Sequence, residues 1–393
     1  MNLIIFGDIF SFPEGKAATN RVYTYAKGFI ENGMQVYVIC FLNDIDQEKE
    51  GIADGIHYYQ AYSPRRRSSS FIRRRIDNTR KYFRVIKIIS DIRKKDPDII
   101  INVWTNLFKT HLWAWLLSKF FHSELIIECS EHPLRHFLKN RITRLQGLVK
   151  FHVESYLSDG ILCISRFLMD FHRNHGVNES KLLLVPSTVD PSRFMKKGSR
   201  PVPGFYIGYF GGLTFYRDSV DTLLKAFSRI FSLYKNINLI IGGFCTEEER
   251  LQIHNLIGEL KISSRTELLD FRPREEILNY IVYADILVMV RSNDFEATAS
   301  FPSKLTEYLV TGNPVISVTV GEIEDFLRDG VNAFLVPPEN EKLLADKIQY
   351  VIDNYQFAKQ VAERGRELTD GIFNYKFQAS QIINFINSLR SAK

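Results

Sequence analysis

The stretch FPSKLTEYLVTGNPVI, residues 301–316, decides the fold of the second half of the chain. A proline and a serine begin a predicted helix at Pro302, and leucines three to four residues apart give it an apolar stripe. Gly312 ends this helix, and the proline two residues later prevents its continuation. The apolar run Val315–Val318 then predicts a buried strand, so the stretch indicates an α/β unit.

Charged side chains at the start of this helix predict a nucleotide site. Lys304 lies in the first turn beside Ser303, where free backbone N–H groups favour anions. Glu307 follows three residues later and lies on a neighbouring face of the helix. A cation beside free amides suits a phosphate, and a carboxylate one turn later suits the hydroxyls of a ribose. We therefore predict that Ser303, Lys304 and Glu307 contribute to a nucleotide-binding site.

The composition is typical of a soluble globular protein with two domains. The chain has 393 residues, of which 45% are hydrophobic and 24% are charged. Its four cysteines are scattered without a Cys-x-x-Cys pair, which favours reduced thiols over a zinc site or disulfides. No apolar run reaches the roughly 18 to 20 residues of a membrane-spanning helix. The first residues form an apolar run without the basic region of a signal peptide, so we expect a cytoplasmic protein.

Positive charge is concentrated in one segment. Residues 64–95 contain 13 Lys or Arg and two Asp, a local charge of +11, whereas the whole chain has a net charge of +6. Isoleucine and phenylalanine recur there at helical spacing, which predicts a basic amphipathic helix. Such a helix either packs its stripe on the core with its charges in water, or also contacts an anionic lipid surface or an anionic acceptor through Arg65–Lys95. A nucleic-acid partner is not expected, because no recognised nucleic-acid-binding pattern accompanies the charge.

Strand-like and helix-like runs alternate along both halves of the chain, which predicts parallel sheets covered by helices on both faces. A linker rich in proline, glycine and charge separates the halves near residues 196–204. We therefore predict an α/β protein with two Rossmann-like domains, residues 1–198 and 199–393. In such sheets the ligand lies beyond the carboxyl ends of the strands.

Three segments that follow predicted strands contain candidate ligand-binding or catalytic residues. The first loop contributes Gly15, Lys16 and Asn20, and the neighbouring Arg21 can also face the cleft, although this stretch also fits an ordinary glycine-containing loop. The segment after the strand at 125–129 contributes Glu131 and His132 as candidate catalytic residues, between which the sequence does not choose. In the second half, Gly211, Gly212 and Arg217 form a glycine-rich loop suited to a diphosphate.

Several of these motifs together resemble those of GT-B glycosyltransferases of family 4. Glu307 followed by Gly-Asn-Pro-Val is similar to the family's Glu and Gly-x-Pro-Val, and the helix of the first half ends, as in the family, in Gly-x-x-Val at 33–36. Further positions shared with the family are Asp159, Ser165, Pro186, Val189, Asp190 and Phe194. The likeness extends over nearly the whole chain.

The resemblance implies an arrangement and a set of roles. The two domains are expected to face each other across a cleft, with the C-terminal helix returning to the N-terminal domain. Residues 1–198 are expected to bind the acceptor, and 199–393 the nucleotide-sugar donor. Phe271 and Arg272 are expected beside the nucleobase, and Glu131 or His132 at the reacting sugar.

Several positions depart from the family pattern, among them Ser187 and Thr188, which stand where the family has Asn-Gly. Arg217 stands at the position of the family's phosphate-binding lysine, but Gly212 stands where the family has an arginine, so Lys304 is expected to supply the missing cation. Ala299 stands where the family has the first of two glutamates, with Glu296 three residues earlier. These departures leave the identity of the sugar and the catalytic detail open.

The resemblance implies transfer of a sugar from a nucleotide-diphosphate donor to an acceptor hydroxyl with retained anomeric configuration and without a metal or other cofactor. Asp44 and Asp46 imitate a metal-binding Asp-x-Asp, but they fall in a polar loop and are interpreted as incidental. The expected acceptor is a glycan or a lipid-linked precursor of a surface polysaccharide or glycolipid at the inner face of the cell membrane. The alternatives are a nucleotide-sugar epimerase and a non-catalytic scaffold subunit with the same fold.

Overall fold

The computed structural model describes residues 1–15, 17–42, 48–62, 69–137, 141–195 and 198–391. The predicted loop residue Lys16, the start of the basic segment at Arg65, and the pair Asp44 and Asp46 lie outside these ranges. The chain forms two compact units. Unit 1 comprises 1–188 and 375–393, and unit 2 comprises 189–374.

Unit 1 is built on an eight-stranded sheet with the order β3-β4-β2-β1-β5-β6-β7-β8. Every neighbouring pair is parallel except the hairpin of β3 and β4, which the sequence analysis did not predict. The strands are β1 (Asn2–Gly7), β2 (Gln35–Cys40), β3 (Glu50–Ala53), β4 (Ile56–Gln60), β5 (Ile99–Trp104), β6 (Glu124–Cys129), β7 (Gly160–Cys163) and β8 (Leu182–Leu184).

Helices cover both faces of this sheet because its central strands are apolar on both sides. One hydrophobic cluster joins the sheet to the first and last helices of the unit, and a second joins it to the helices that follow β4 and β5. The helices are α1 (Ala17–Glu31), α2 (Phe71–Lys95), α3 (Phe108–Phe121), α4 (Arg141–Leu157), α5 (Arg166–Asn174) and, at the end of the chain, α15 (Tyr375–Ser391).

The last helix belongs to unit 1, as the resemblance implied. Ala379, Ile382 and Ile386 of α15 are buried in the cluster that includes α1. The boundary between the units falls at 188/189 rather than at the predicted 198/199. The reason is that the chain joins unit 2 before the proline-rich linker, since the backbone N–H of Val189 donates to the carbonyl of Phe373.

Unit 2 contains a six-stranded parallel sheet with the order β11-β10-β9-β12-β13-β14. The strands are β9 (Phe205–Gly212), β10 (Ile237–Phe244), β11 (Thr266–Leu268), β12 (Ile286–Met289), β13 (Val315–Val318) and β14 (Phe334–Val336). Because all six strands are parallel, their carboxyl ends lie along one edge of the sheet.

The helices of unit 2 include the one predicted from residues 301–316. It is seven residues long, and Gly312 follows it with φ +65°, as predicted. The last helical part of the chain is divided into α13 and α14 of unit 2 and α15 of unit 1. The helices of unit 2 are α6 (Phe215–Asp218), α7 (Val220–Ile230), α8 (Glu247–Glu259), α9 (Arg274–Tyr283), α10 (Phe295–Ala299), α11 (Ser303–Leu309), α12 (Ile323–Phe326), α13 (Glu341–Asp353) and α14 (Tyr355–Glu367).

The described residues contain neither a membrane-spanning helix nor a group of side chains suited to a metal ion. None of the helices within these ranges is both long and apolar enough to cross a membrane. All four cysteines are free thiols, and no three described His, Cys, Asp or Glu side chains are grouped to hold a metal ion.

Candidate active site

Lys304 and the two glycines at the end of β9 form the centre of the candidate donor site in unit 2. Lys304 Nζ donates a hydrogen bond to the hydroxyl of Tyr209 at 2.7 Å and lies 3.4 Å from Asp218 Oδ1. Burial lowers the pKa of the Lys304 ammonium, and the carboxylate of Asp218 opposes that shift. The ammonium lies against Gly211, where an added Cβ would be 2.7 Å from Nζ. The backbone of β9 therefore approaches the cation closely.

Gly212 lies close to the carboxylate of Asp218. A Cβ at this position would lie 2.4 Å from Asp218 Oδ2, and the same oxygen accepts a hydrogen bond from Thr214 Oγ1 at 3.0 Å. A side chain at 212 would displace this carboxylate. The present position of the Asp218 carboxylate therefore depends on the absence of a side chain at Gly212.

Arg217 lies on α6, directly after this strand end. Its side chain is half exposed, and Nη2 lies 3.7 Å from Glu296 Oε2. The backbone carbonyl of Arg217 accepts a hydrogen bond from Ser292 N at 3.1 Å, which joins the loop after β9 to the loop after β12. Glu296 therefore reaches this cluster, whereas Ala299 is completely buried on α10.

Arg291 is a third cation at this site, and the sequence analysis missed it. It follows β12, and its Nη2 donates to Ser300 Oγ at 3.0 Å, while Nη1 is buried with no hydrogen-bond partner in the structure. Burial lowers the pKa of Arg291 to about 10, and the carboxylates of Asp294 and Asp218 oppose the shift. The only sequence signal was a lone arginine at the end of an apolar strand.

Glu307 lies on α11 next to an arginine from α9. Arg274 Nη2 donates to Glu307 Oε1 at 2.5 Å, and the carboxylate is largely buried. The predicted base-contacting residues lie just before α9. Phe271 is strongly exposed, and Arg272 pairs with Glu276 at 3.4 Å on the surface. Arg274 was not among the residues predicted from the sequence, yet it is the residue that contacts Glu307.

Ser303 is the first residue of α11. The structure shows Pro302 at the N-cap without a side-chain cap, and Ser303 O accepts a hydrogen bond from Thr306 Oγ1 at 2.9 Å. This hydrogen bond uses the backbone carbonyl of Ser303 and not its hydroxyl.

Glu131 and His132 line a small pocket at the carboxyl end of β6 in unit 1. Glu131 accepts hydrogen bonds from Arg135 Nη1 at 2.6 Å and from Asn106 Nδ2 at 3.0 Å. The pocket, about 60 Å³, is smaller than the roughly 300–1,000 Å³ of typical ligand pockets. It therefore has room for only part of a ligand.

His132 is buried among aromatic rings. Its ring packs edge-on against Phe171 at a centroid distance of 4.4 Å, and Nδ1 accepts a hydrogen bond from the backbone N–H of Leu134. Burial lowers the pKa of His132 to about 4, and the nearby His172 and His175 add to this shift. The imidazole is therefore neutral near pH 7.

Arg21 points into the interior of unit 1, whereas the sequence allowed it to face a ligand. It is buried, and its Nε donates to Glu128 Oε1 at 2.8 Å, while its Nη atoms donate to the carbonyls of Val185 and Pro186. The correction has a physical reason, because a buried guanidinium needs a carboxylate and several acceptors, and Glu128 and these carbonyls supply them. Of the other first-loop residues, Gly15 is exposed and Asn20 is partly buried on α1.

Models of known families match both units. The model described as Glycosyltransferase Family 4 matches residues 18–193, and the one described as Glycosyl transferases group 1 matches residues 192–368. Together they cover most of the chain, and their junction lies close to the boundary between the units. The chain belongs to the family-4, group 1 glycosyltransferases.

Solved structures show that this glycosyltransferase has the GT-B fold. Sucrose-phosphate synthase from Thermosynechococcus elongatus is similar with a TM-score of 0.74 and 16% identity, and the match covers 100% of both chains. HepE of Anabaena in complex with UDP-glucose is similar with a TM-score of 0.69 and 17% identity, covering 98% of this chain and 99% of that one.

Curated relatives of this glycosyltransferase are distant. The uncharacterized glycosyltransferase MJ1178 of Methanocaldococcus jannaschii is 25% identical over 59% of this chain and 60% of its own length. The lipopolysaccharide core biosynthesis glycosyltransferase LpsE of Rhizobium meliloti is 25% identical over 40% of this chain and 43% of its own length. The matched region thus spans 60% of the first relative and less than half of the second.

Proposed function

We propose that this glycosyltransferase transfers a sugar from a nucleotide-diphosphate sugar to an acceptor hydroxyl with retention of anomeric configuration. The observation that carries the proposal is the convergence of Arg217, Arg291 and Lys304 around Asp218 at the carboxyl ends of β9 and β12. Three cations in one partly buried site suit a diphosphate, which offers several charged oxygens. The similar structure of HepE was solved with UDP-glucose, which supports a donor of this class.

Glu307 is proposed to bind the ribose of the donor. Arg274 donates to its Oε1, and no described residue donates to its Oε2. A ribose hydroxyl can therefore donate to Oε2 while the ion pair with Arg274 holds the carboxylate in place. Phe271 and Arg272 are proposed to flank the base. Gly15 and Asn20 are proposed to bind part of the ligand, a role that the sequence also predicts for Lys16.

The proposed reaction breaks the bond between the anomeric carbon and the diphosphate oxygen and forms a bond from that carbon to the acceptor oxygen on the same face. The acceptor proton passes to an oxygen of the departing phosphate. Negative charge develops on the diphosphate, where the three cations stabilise it and where positioning of both reactants lowers the barrier. Glu131 or His132 is proposed to contact the reacting sugar.

The proposed mechanism needs no metal, because the protein's own cations take the role that a divalent metal plays in other transferases. Transfer is therefore expected to continue in the presence of a chelator. The anomeric configuration of the product, measured by nuclear magnetic resonance, is expected to match that of the donor. Loss of activity on chelation, or an inverted product, would contradict the respective part of the proposal.

We propose a glycan or lipid-linked acceptor, used in the synthesis of a surface polysaccharide or glycolipid at the inner face of the cell membrane. The similarity to LpsE supports this class of pathway. The basic segment supports it as well, because Arg73 and Arg75 of α2 are exposed and can attract an anionic surface.

Calorimetry with UDP, GDP and ADP tests the donor site. One nucleotide is expected to bind, and the double variant Arg217→Ala and Glu307→Ala is expected to lose about 100-fold or more in affinity, since each side chain makes a charge-assisted contact. Arg229→Ala is a matched control, because Arg229 is equally half exposed in unit 2 and pairs with Glu341 away from the site.

The possible outcomes separate the alternatives. Binding of one nucleotide that only the double variant loses supports the donor site and identifies the donor to test for transfer. Absence of binding for all three nucleotides would overturn the nucleotide-sugar donor. A sugar product that forms from the donor without any acceptor would instead identify an epimerase.

A further inference from the structure

Helix α4 presents an exposed apolar stripe that the sequence analysis did not identify. The five side chains recur at intervals of three or four residues and therefore lie on one side of the helix. From first to last they span roughly 21 Å along the axis at about 1.5 Å per residue. Their exposed fractions are substantial for apolar side chains, at 72% for Ile142, 64% for Leu145, 58% for Val149, 36% for Val153 and 83% for Tyr156.

The opposite side of α4 is already packed against unit 1. Gly147, Phe151 and Ser155 are buried, and a Cβ added to Gly147 would lie 2.6 Å from the Cβ of Phe137. The ring of Phe151 packs against Phe171 at 5.0 Å. Because this side is fixed by close packing, the stripe cannot turn inward without breaking the core.

The neighbouring helices α3 and α2 also expose apolar side chains. His111 of α3 contacts Ser158 at the end of α4, and Tyr82 of α2 packs edge-on against Trp113 of α3 at 5.2 Å. The exposed apolar residues of α3 include Leu116 and Phe120, and those of α2 are Phe71, Ile72, Ile76 and Phe83.

The exposed charges beside this apolar surface are mostly basic. On α4, the exposed Arg141 lies four residues before Leu145 and therefore beside the stripe, whereas the exposed Arg144 lies three residues before the buried Gly147, on the opposite side. The one acid of α4, Glu154, is largely buried in an ion pair with Lys150. On α2, Arg73 and Arg75 are exposed between the apolar residues. A surface of apolar side chains flanked by arginines matches the boundary between the acyl chains and the headgroups of an anionic bilayer.

We propose that the apolar stripe of α4 inserts into the headgroup and acyl boundary of an anionic bilayer, with Arg141 of α4 and the exposed arginines of α2 at the headgroups. A second copy of the chain fits this surface less well, because a two-fold interface brings each patch against itself and would oppose arginine to arginine. The inference rests on the proposed function, since binding to the membrane would bring the protein to a lipid-linked acceptor.

Flotation with vesicles tests the proposal. The wild-type protein is expected to float with vesicles that contain phosphatidylglycerol in phosphatidylcholine, and much less with phosphatidylcholine alone. The variant Leu145→Glu with Val149→Glu is expected to lose about tenfold or more of its vesicle affinity, because charged side chains are strongly disfavoured in the apolar region. Both positions are exposed, so the fold should tolerate the changes.

A matched control is present in unit 2. Leu233 and Leu251 are each 61% exposed, close to the values of Leu145 and Val149, so Leu233→Glu with Leu251→Glu adds the same charge elsewhere. This control is expected to float like the wild type. Calorimetry with the nucleotide that the wild type binds is expected to give unchanged affinity for both variants.

Three outcomes would overturn the proposal. These are failure of the wild type to float, equal flotation of the α4 variant and the wild type, and a wild-type dimer in light scattering that the α4 variant dissociates. The last would assign the stripe to a second copy of the chain. Vesicle binding needs no turnover, so loss of nucleotide binding with retained flotation would reject the proposed donor and leave this inference standing.

Discussion

At the scale of single residues, the donor site shows how tertiary contacts replace an expected side chain. The sequence lacks an arginine at Gly212, and the structure places Arg291 in the same cluster from a different strand. Its Nη1 atom is buried without a hydrogen-bond partner, which is costly unless a ligand supplies an acceptor. Arg291 therefore contributes the third cation of the proposed diphosphate site.

We predict that Arg291→Gln weakens binding of the nucleoside diphosphate by roughly tenfold to 100-fold, the range expected for a lost charge-assisted hydrogen bond. Arg291→Lys, which keeps a positive charge but fewer donors, should lose less. Calorimetry with the diphosphate and the matching nucleoside measures this. Equal losses for the diphosphate and the nucleoside would show that Arg291 does not act on the phosphates.

His132 provides a prediction about pH. Its pKa is about 4 in the folded protein and about 6.5 when exposed, so the folded state binds fewer protons between these values. Stability should therefore decrease as the pH falls from 6.5 to 4, by up to about 1.4 kcal/mol per pH unit from this group.

The variant His132→Asn isolates this effect, because the amide oxygen can still accept the hydrogen bond from Leu134 N but does not titrate. Urea unfolding at several pH values should show a shallower decrease in the free energy of unfolding for the variant. If the two proteins lose stability equally between pH 6.5 and 4, the histidine does not cause the decrease.

Some residue contacts could not be predicted from the sequence. Arg21 and Glu128 form a buried pair although 107 residues separate them, and no local pattern indicates such a partner. The positions of Lys304 and Glu307 on a helix, and of Arg217 after a glycine-rich strand end, could be predicted because proline and glycine mark these elements locally. Their roles in the donor site stay predictions. The pairing of Glu307 with Arg274 required the packing of α9 against the sheet.

At the scale of elements, helices and strands could be predicted where glycine or proline marks their ends. The helix α11 was predicted because Pro302 and Gly312 mark its limits. The hairpin of β3 and β4 was missed because its strands are only four and five residues long. Asp54 and Gly55 form its turn with positive φ values of 49° and 80°, the Asp-Gly pattern of a tight hairpin, and this signal was present in the sequence.

The assignment of α15 to unit 1 gives an element-scale prediction. Ile382 is buried between α15 and the sheet, so Ile382→Ala should destabilise unit 1 by about 2–5 kcal/mol through lost burial and a cavity. Phe377→Ala, at an exposed position of the same helix, is the control and should change stability little. Urea unfolding measures both, and equal effects would show that α15 is not held by its buried face.

At the scale of the whole molecule, unit 1 is formed by both ends of the chain and unit 2 by its middle. Each unit has its own sheet and buried apolar residues, so we expect two separable unfolding transitions. The nucleotide of the proposed donor should raise the midpoint of the transition that belongs to unit 2, by an amount that grows with the logarithm of its concentration.

Differential scanning calorimetry measures these transitions. Ile382→Ala should lower the midpoint of the other transition and leave the nucleotide-dependent one unchanged. A single transition that responds to both the mutation and the nucleotide would show that the two units unfold as one.

Asp218 has a consequence for the end of the catalytic cycle. Its carboxylate balances part of the positive charge of the cation cluster when no donor is present, and it remains beside Lys304 as a fixed anion when a diphosphate arrives. Repulsion between this carboxylate and the nucleoside diphosphate by-product limits how tightly the by-product is retained. Under the proposed function, Asp218 thus favours release and lessens product inhibition, at some cost in affinity for the donor.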